Sequence, residues 1–100
     1  MVAKLGAIED EYQFFDDFIN QYGTALRSAS DDYSLLVDAP GAQGEFESAL
    51  FSAITIAASE DVLIDKSTLE SVLNYLGDGD LGHYARQCAE TIRTGSVPTA

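Results

Sequence analysis

The fold is decided by residues 7–28, which read AIEDEYQFFDDFINQYGTALRS. Apolar residues recur along this stretch every three or four positions, which is the periodicity of one face of an α-helix. They are Ile8, Tyr12, Phe15, Ile19, Tyr22 and Leu26. The spacing predicts one long amphipathic helix of about five turns, from near Ala7 to near Ser28.

The opposite side of this predicted helix is acidic. Successive helical residues are turned by about 100°, so the acids of the stretch lie away from the stripe that contains Ile8 and Phe15. Those acids are Glu9, Asp10, Asp16 and Asp17. Phe14 and Phe18 widen the apolar side, and we expect them to be core residues or the edge of a docking surface.

The middle of the chain is less regular. Ser30 before two acids is typical of a helix N-cap, so residues 31–37 form a short helix or, alternatively, an extended segment. Asp38, Pro40, Gly41 and Gly44 predict a loop. From Glu45 to about residue 58 the helical pattern returns, with the apolar set Phe46, Ala49, Leu50, Ala53, Ile54 and Ala57, and this helix is predicted to be central and most buried.

Two further helices follow. Asp65 is the predicted N-cap of the first, with a capping box from Ser67 to Glu70 as the alternative, and Gly77 ends it. Asp80 is predicted to cap the second. The apolar stripe of that last helix is Leu81, Tyr84, Ala85, Cys88 and Ile92, and Gly95 and Pro98 end it.

These patterns predict an all-α fold, a compact bundle of four to five short helices. Residues 1–100 form a single acidic helical domain, in which residues 1–6 and 96–100 are expected to be frayed tails. The 46% apolar content is that of a globular chain rather than a disordered one.

Charge is the outlying property of the composition. The chain has 17 acidic residues against five Lys and Arg, a net charge of −12. Such a surface repels nucleic acid and anionic lipid, so we expect neither as a direct ligand and expect a basic protein surface as the partner, with a nucleic-acid-binding complex as one candidate. The alternative is that the acidity only confers solubility.

The sequence shows no signal peptide and no apolar run of membrane-spanning length. The single cysteine, Cys88, forms no internal disulfide, which agrees with a reducing compartment. We therefore expect a cytoplasmic protein, in the host cytoplasm if the chain is encoded by a phage.

No catalytic or metal-binding motif is complete. The segment from Asp78 fails as a calcium-binding EF-hand loop, since its twelfth position is Ala89 rather than Glu. Ser34 does not match the Asp-Ser-Leu attachment motif of acyl carrier proteins, because Tyr33 separates Asp32 from the serine. His83 and Cys88 lie about 140° apart on one helix and cannot form a dyad. We expect no enzyme activity, no metal and no cofactor.

The leading hypothesis is a non-enzymatic binder that neutralises a basic partner, as phage anti-CRISPR or anti-restriction inhibitors do by nucleic-acid mimicry. Residues four apart on a helix are about 6 Å apart, close to the phosphate repeat of a nucleic-acid strand. The predicted partner-binding residues are Glu9, Asp10, Asp16, Asp17, Asp31 and Asp32. The alternative is a structural or adaptor module, or a toxin-neutralising immunity protein, that binds through an apolar helix face anchored by Phe14, Phe18 and Phe51. A third is a carboxylate enzyme or a carrier modified at Ser34.

Overall fold

The predicted first helix is present in the computed structural model, which describes the backbone of residues 2–92 and the side chains of residues 11–92. Helix α1 spans Val2–Ala29. It begins well before Ala7, so the expected fraying of residues 1–6 does not hold from Val2 onward. The predicted tail at 96–100 lies outside the described residues.

Five helical elements follow α1. The first is a π-helix at Ser34–Asp38, here called the π segment. The others are the α-helices α2 (Ala39–Ala42), α3 (Phe46–Glu60), α4 (Lys66–Leu76) and α5 (Asp80–Ala89). Residues 2–92 contain no strand, so the all-α bundle is confirmed, although α1 with its 28 residues is not short.

Helix α3 is the centre of the bundle, as the sequence predicts. It packs against α1, the π segment, α2, α4 and α5. Its side chains supply a large part of the core, and those with no exposed surface are Ala49, Leu50, Ala53, Ile54 and Ala57. Each of the other elements therefore contacts α3, and α2 and α4 also pack on the π segment and α5 respectively.

The buried face of α1 is centred on a different line of residues from the one predicted. Phe18, Tyr22 and Leu26 enter the core, whereas Tyr12 is 59% exposed although it was expected on the buried stripe. The reason is that aromatic side chains on both sides of this line also pack against other helices. Phe14 stacks on an aromatic ring of α4, so the line that faces the core lies between the flanks.

The loop predicted around Asp38, Pro40, Gly41 and Gly44 is helical as far as Ala42 in the structure. The π segment and α2 are helical because tertiary packing overrides the breakers: Val37 is fully buried, and Pro40 lies in the first turn of α2, where no backbone N–H is needed. Gly41 is required by a close approach, since a Cβ there would lie 2.6 Å from the Phe15 ring. The helical alternative for 31–37 is thus correct from Tyr33 onward, and the extended one is wrong.

The capping of α4 agrees with the prediction. The Asp65 carboxylate accepts hydrogen bonds from the Ser67 N–H at 3.1 Å and the Thr68 N–H at 3.4 Å. The Ser67 hydroxyl also donates to it, and this bond above all holds the pKa of Asp65 below its ordinary value. Gly77, with a φ of 79°, ends the helix. The capping-box alternative is not used.

The start and the face of α5 differ from expectation. Gly79 occupies the N-cap position and Asp80 is already the first helical residue, so Asp80 does not cap the helix. Ala85 is buried, but Leu81 and Tyr84, predicted on the buried stripe, are exposed. The reason is that α5 lies at the edge of the bundle and contacts α3 and α4 on one narrow side.

Arginine 86 ties α5 to the end of α4. Its guanidinium donates to the backbone carbonyls of Gly77 at 2.6 Å and Leu73 at 3.3 Å. These carbonyls lie at the C-terminal end of α4, where the helix dipole favours a cation. The Leu73 carbonyl also accepts the Gly77 N–H at 3.1 Å. Gly82 lies against the same turn, and a Cβ added at Gly82 would collide with the Gly77 carbonyl.

The tight contact between α4 and α5 predicts the response to two glycine substitutions. Gly82→Ala should lower the free energy of unfolding by about 1–3 kcal/mol through overpacking, although alanine is otherwise favoured in a helix. Gly79→Ala meets no atom within 4 Å, so it should lose only about 0.5 kcal/mol, because alanine is less favourable than glycine at an N-cap. Urea unfolding followed by circular dichroism measures both. Equal stabilities of the two variants would contradict this contact.

Candidate functional site

Asp16 and Asp17 lie on α1 as predicted, and neither is buried. Each carboxylate accepts a hydrogen bond from an amide one helical turn away: Asp16 from Asn20 at 3.3 Å and Asp17 from Gln13 at 2.9 Å. The backbone of Glu9 and Asp10 belongs to α1, but their side chains lie outside the described ones. Of the four acids predicted on this face, the structure therefore describes the side chains of Asp16 and Asp17.

The acids of α1 do not form a row at the four-residue spacing. Glu9 and Asp16 are seven positions apart, as are Asp10 and Asp17, so each pair is separated by about 10.5 Å along the helix axis. This distance is wider than the spacing of about 6 Å on which phosphate mimicry was argued. Helix α1 presents separated negative charges rather than a phosphate-like series.

Asp31 and Asp32 are exposed but lie apart from the other predicted residues. They occupy the turn after α1, whose last residue, Ala29, is about 20 Å along the axis from Asp16. The Asp32 N–H donates to the Ser30 hydroxyl at 3.2 Å, which fixes this turn. Asp31 and Asp32 therefore lie apart from Asp16 and Asp17, the predicted acids of α1 whose side chains are described.

Asp32 instead borders an open groove of about 620 Å³ between the π segment, α3 and α5. Because α3 packs against both neighbours, its residues form the floor, and the π segment and α5 form the walls. The lining residues, in chain order, are Ser30, Asp32, Leu36, Thr55, Ile56, Ala58, Ser59, Glu60, Tyr84, Gln87, Cys88 and Thr91. We call this feature the α3–α5 groove.

The α3–α5 groove combines apolar surface with negative charge. Leu36 is 39% exposed and Tyr84 is 53% exposed, and the Tyr84 ring lies 5.7 Å from that of Phe51. The charged lining residues are Asp32 and Glu60, and none of the described lining residues is Lys or Arg. An occupant with apolar side chains and positive charge would match this surface.

The apolar anchors expected for an adaptor need correction. Phe18 is 2% exposed and belongs to the core, so it cannot contact a partner. Phe14 and Phe51 are half-buried, and their rings pack against those of Tyr75 and Tyr84 at centroid distances of 5.7 Å. The exposed apolar residues at the groove are instead Leu36 and Tyr84, and the sequence pattern predicts Tyr84 on the apolar stripe of the last helix.

A second acidic depression lies between α1, the start of α3 and α4. Its lining includes the carboxylates of Glu11, Glu45 and Glu47 together with Tyr75. Burial, followed by the negative charges of Glu11 and Glu47, raises the pKa of Tyr75 to about 12. The carboxylates around this tyrosine therefore set up a local negative potential.

The remaining candidates for chemistry stay apart. His83 is exposed and its Nε2 lies 3.5 Å from the amide of Gln87, whereas Cys88 is half-buried in the α3–α5 groove. Within the described part of the chain, no group of three or more His, Cys, Asp or Glu side chains could hold a metal ion. None of the helices described up to residue 92 has the length and apolar character needed to cross a bilayer.

The electrostatics of the second depression can be tested at Tyr75. Glu47→Gln removes a negative charge and should lower the pKa of Tyr75 from about 12 towards the ordinary value of 10.0. Glu70→Gln, on the exposed face of α4, is the control. Since folding raises this pKa, its stabilising effect is complete below pH 10.0 and is lost as the pH rises towards 12. NMR titration of the tyrosine Cζ resonances measures the pKa of Tyr75. An unchanged Tyr75 pKa in Glu47→Gln would refute the predicted effect of the Glu47 charge.

Comparison of the chain with protein families, with curated proteins and with solved structures finds no match in any of the three. Its function has to be inferred from its own residues.

Proposed function

We propose that this chain is a non-enzymatic acidic binding protein that neutralises a basic partner. The observation that carries the proposal is uncompensated surface charge. With 17 acidic residues against five basic ones, 12 carboxylates would remain without a cation even if every Lys and Arg were paired. None of the carboxylates among residues 11–92 is buried, so their charge reaches the solvent.

The fold uses two of its few cations for its own structure. Arg27 pairs with Asp38 at 3.1 Å, and its guanidinium also lies 4.8 Å from the centre of the Tyr33 ring. Arg86 is engaged by the carbonyls at the end of α4. These cations do little to offset the field of the carboxylates elsewhere, which favours a cationic counterpart and speeds encounter with it.

The form of this function that we propose is occlusion of a surface with which the partner holds nucleic acid, as in anti-CRISPR or anti-restriction inhibitors. Lys and Arg that grip phosphates would then be engaged by carboxylates of this chain. Asp16, Asp17 and the other exposed carboxylates at the contact, rather than a phosphate-like row on α1, would carry the mimicry. The proposal involves no cofactor, no membrane and no direct contact with nucleic acid, and it places the protein in the cytoplasm.

The α3–α5 groove favours a second candidate function, an adaptor or toxin-neutralising immunity protein. The half-exposed Leu36 and Tyr84 offer apolar contact area, with Asp32 and Glu60 beside it. Apolar burial at the centre of an interface supplies binding energy, while the surrounding charges mainly set specificity. The two candidates differ in how strongly binding depends on salt and on competition by a polyanion.

The charge mechanism predicts the behaviour of a partner captured from native lysate on the immobilised full chain. Its affinity should fall between ~0.1 M and ~1 M salt, because the screening length shrinks from ~10 Å to ~3 Å. Heparin, a polyanion, should release it if the occupied surface binds nucleic acid. Isothermal titration with the purified partner gives the affinities.

Charge reversal tests the predicted residues themselves. Asp16→Lys with Asp17→Lys should weaken the complex at least about tenfold, or ~1.4 kcal/mol, with helix content unchanged. Glu70→Lys with Asp78→Lys makes the same change in net charge elsewhere and is the control. Equal losses in both pairs would remove Asp16 and Asp17 from the interface.

An affinity unaffected by salt, with no release by heparin, would overturn the proposed function.

A further inference from the structure

We infer that the α3–α5 groove is the docking site for a basic amphipathic helix of the partner. This inference rests on the proposed function in one respect, that the partner is basic. It goes further by naming the surface, the shape of the bound segment and the pattern of its side chains.

The apolar part of the argument is the exposed surface along the groove. Leu36 projects from the π segment and Tyr84 from α5, and both are large side chains that the fold leaves 39% and 53% exposed. The floor adds Ile56 and Ala58 from α3. An open groove of about 620 Å³ has room for several apolar side chains. An amphipathic helix presents a row of such side chains at positions i, i+3 or i+4, and i+7.

The charges around the groove determine which occupant fits. Asp32 and Glu60 border the apolar surface, and no Lys or Arg is found among its described lining residues. A helix that flanks its apolar stripe with Lys or Arg would pair with both acids. A second copy of this chain would bring another net charge of −12 to the same place, and like charges oppose that association.

Cys88 makes the groove directly observable. It is the only cysteine of the chain, it lines the groove, and it is half-buried. An occupant that covers the groove must therefore slow alkylation of Cys88. Binding to the α1 face or to the depression around Tyr75 would leave the alkylation rate unchanged.

The test uses the full chain and a designed peptide of about 15 residues, which is near the minimum length for an isolated helix to form in water. Leucines at i, i+4, i+7 and i+11 form its apolar stripe, and lysines occupy most other positions. A scrambled peptide of identical composition is the control. At nine-tenths occupancy, alkylation by iodoacetamide should slow about tenfold, because only the free tenth reacts. The scrambled peptide, at the same concentration, should give less than about twofold protection.

Matched variants assign the binding energy to the groove. Leu36→Ala with Tyr84→Ala should weaken the peptide complex at least about tenfold. The control pair is Leu63→Ala with Tyr12→Ala, whose side chains are 43% and 59% exposed. Tyr12 also stacks on a phenylalanine, as Tyr84 does. Asp32→Asn with Glu60→Gln should lower the salt dependence of binding, and Glu70→Gln with Asp78→Asn should not.

Four outcomes would overturn the inference. A peptide that binds without slowing alkylation, or that fails to bind, excludes the groove as the site. Cys88 that resists alkylation in the free chain shows that the chain covers the groove itself. Protection that grows with protein concentration alone shows a second copy there. In each case the proposed function stands or falls separately, on the salt and heparin dependence of the captured partner.

Discussion

The central position of α3, which packs against every other helical element, is the constraint on which the rest of the structure depends. The alanines at positions 49, 53 and 57 are themselves fully buried, and small side chains at a contact let neighbouring helices approach closely. The π segment and α5 both pack on α3, and residues 55–60 of α3 lie between them. The α3–α5 groove is a consequence of this arrangement, because the two neighbours do not close over the helix that holds them.

The helices could be predicted from the sequence to a large extent, because their stability depends on local periodicity and caps. The repeat of apolar residues marks α1, α3 and α4, and Asp65 and Gly77 mark the ends of α4. The segment around Pro40 and Gly41 could not be predicted in this way. Its residues are typical of loops, and its helical conformation depends on burial of Val37 and on contact with Phe15, both of which are tertiary.

In the candidate site, too, local features could be predicted from the sequence and those that depend on tertiary packing could not. That Asp16, Asp17, Asp31 and Asp32 stay out of the core follows from their charge, and in the structure Asp16 is half-buried and the other three are exposed. Their grouping does not follow, because it depends on where the turn after α1 lies relative to the helix. The α3–α5 groove was missed because it joins three distant parts of the chain. The exposure of Tyr84 had no sequence signature, since its spacing fits a buried stripe as well as an edge.

We propose that a cationic partner binds this protein where negative charge and exposed apolar surface coincide. Amide hydrogen exchange of the full chain, with and without the captured partner, tests this most directly. We predict slower exchange in residues 30–36, 55–60 and 84–91, which border the groove. Slower exchange confined to α1, with these three segments unchanged, would contradict it.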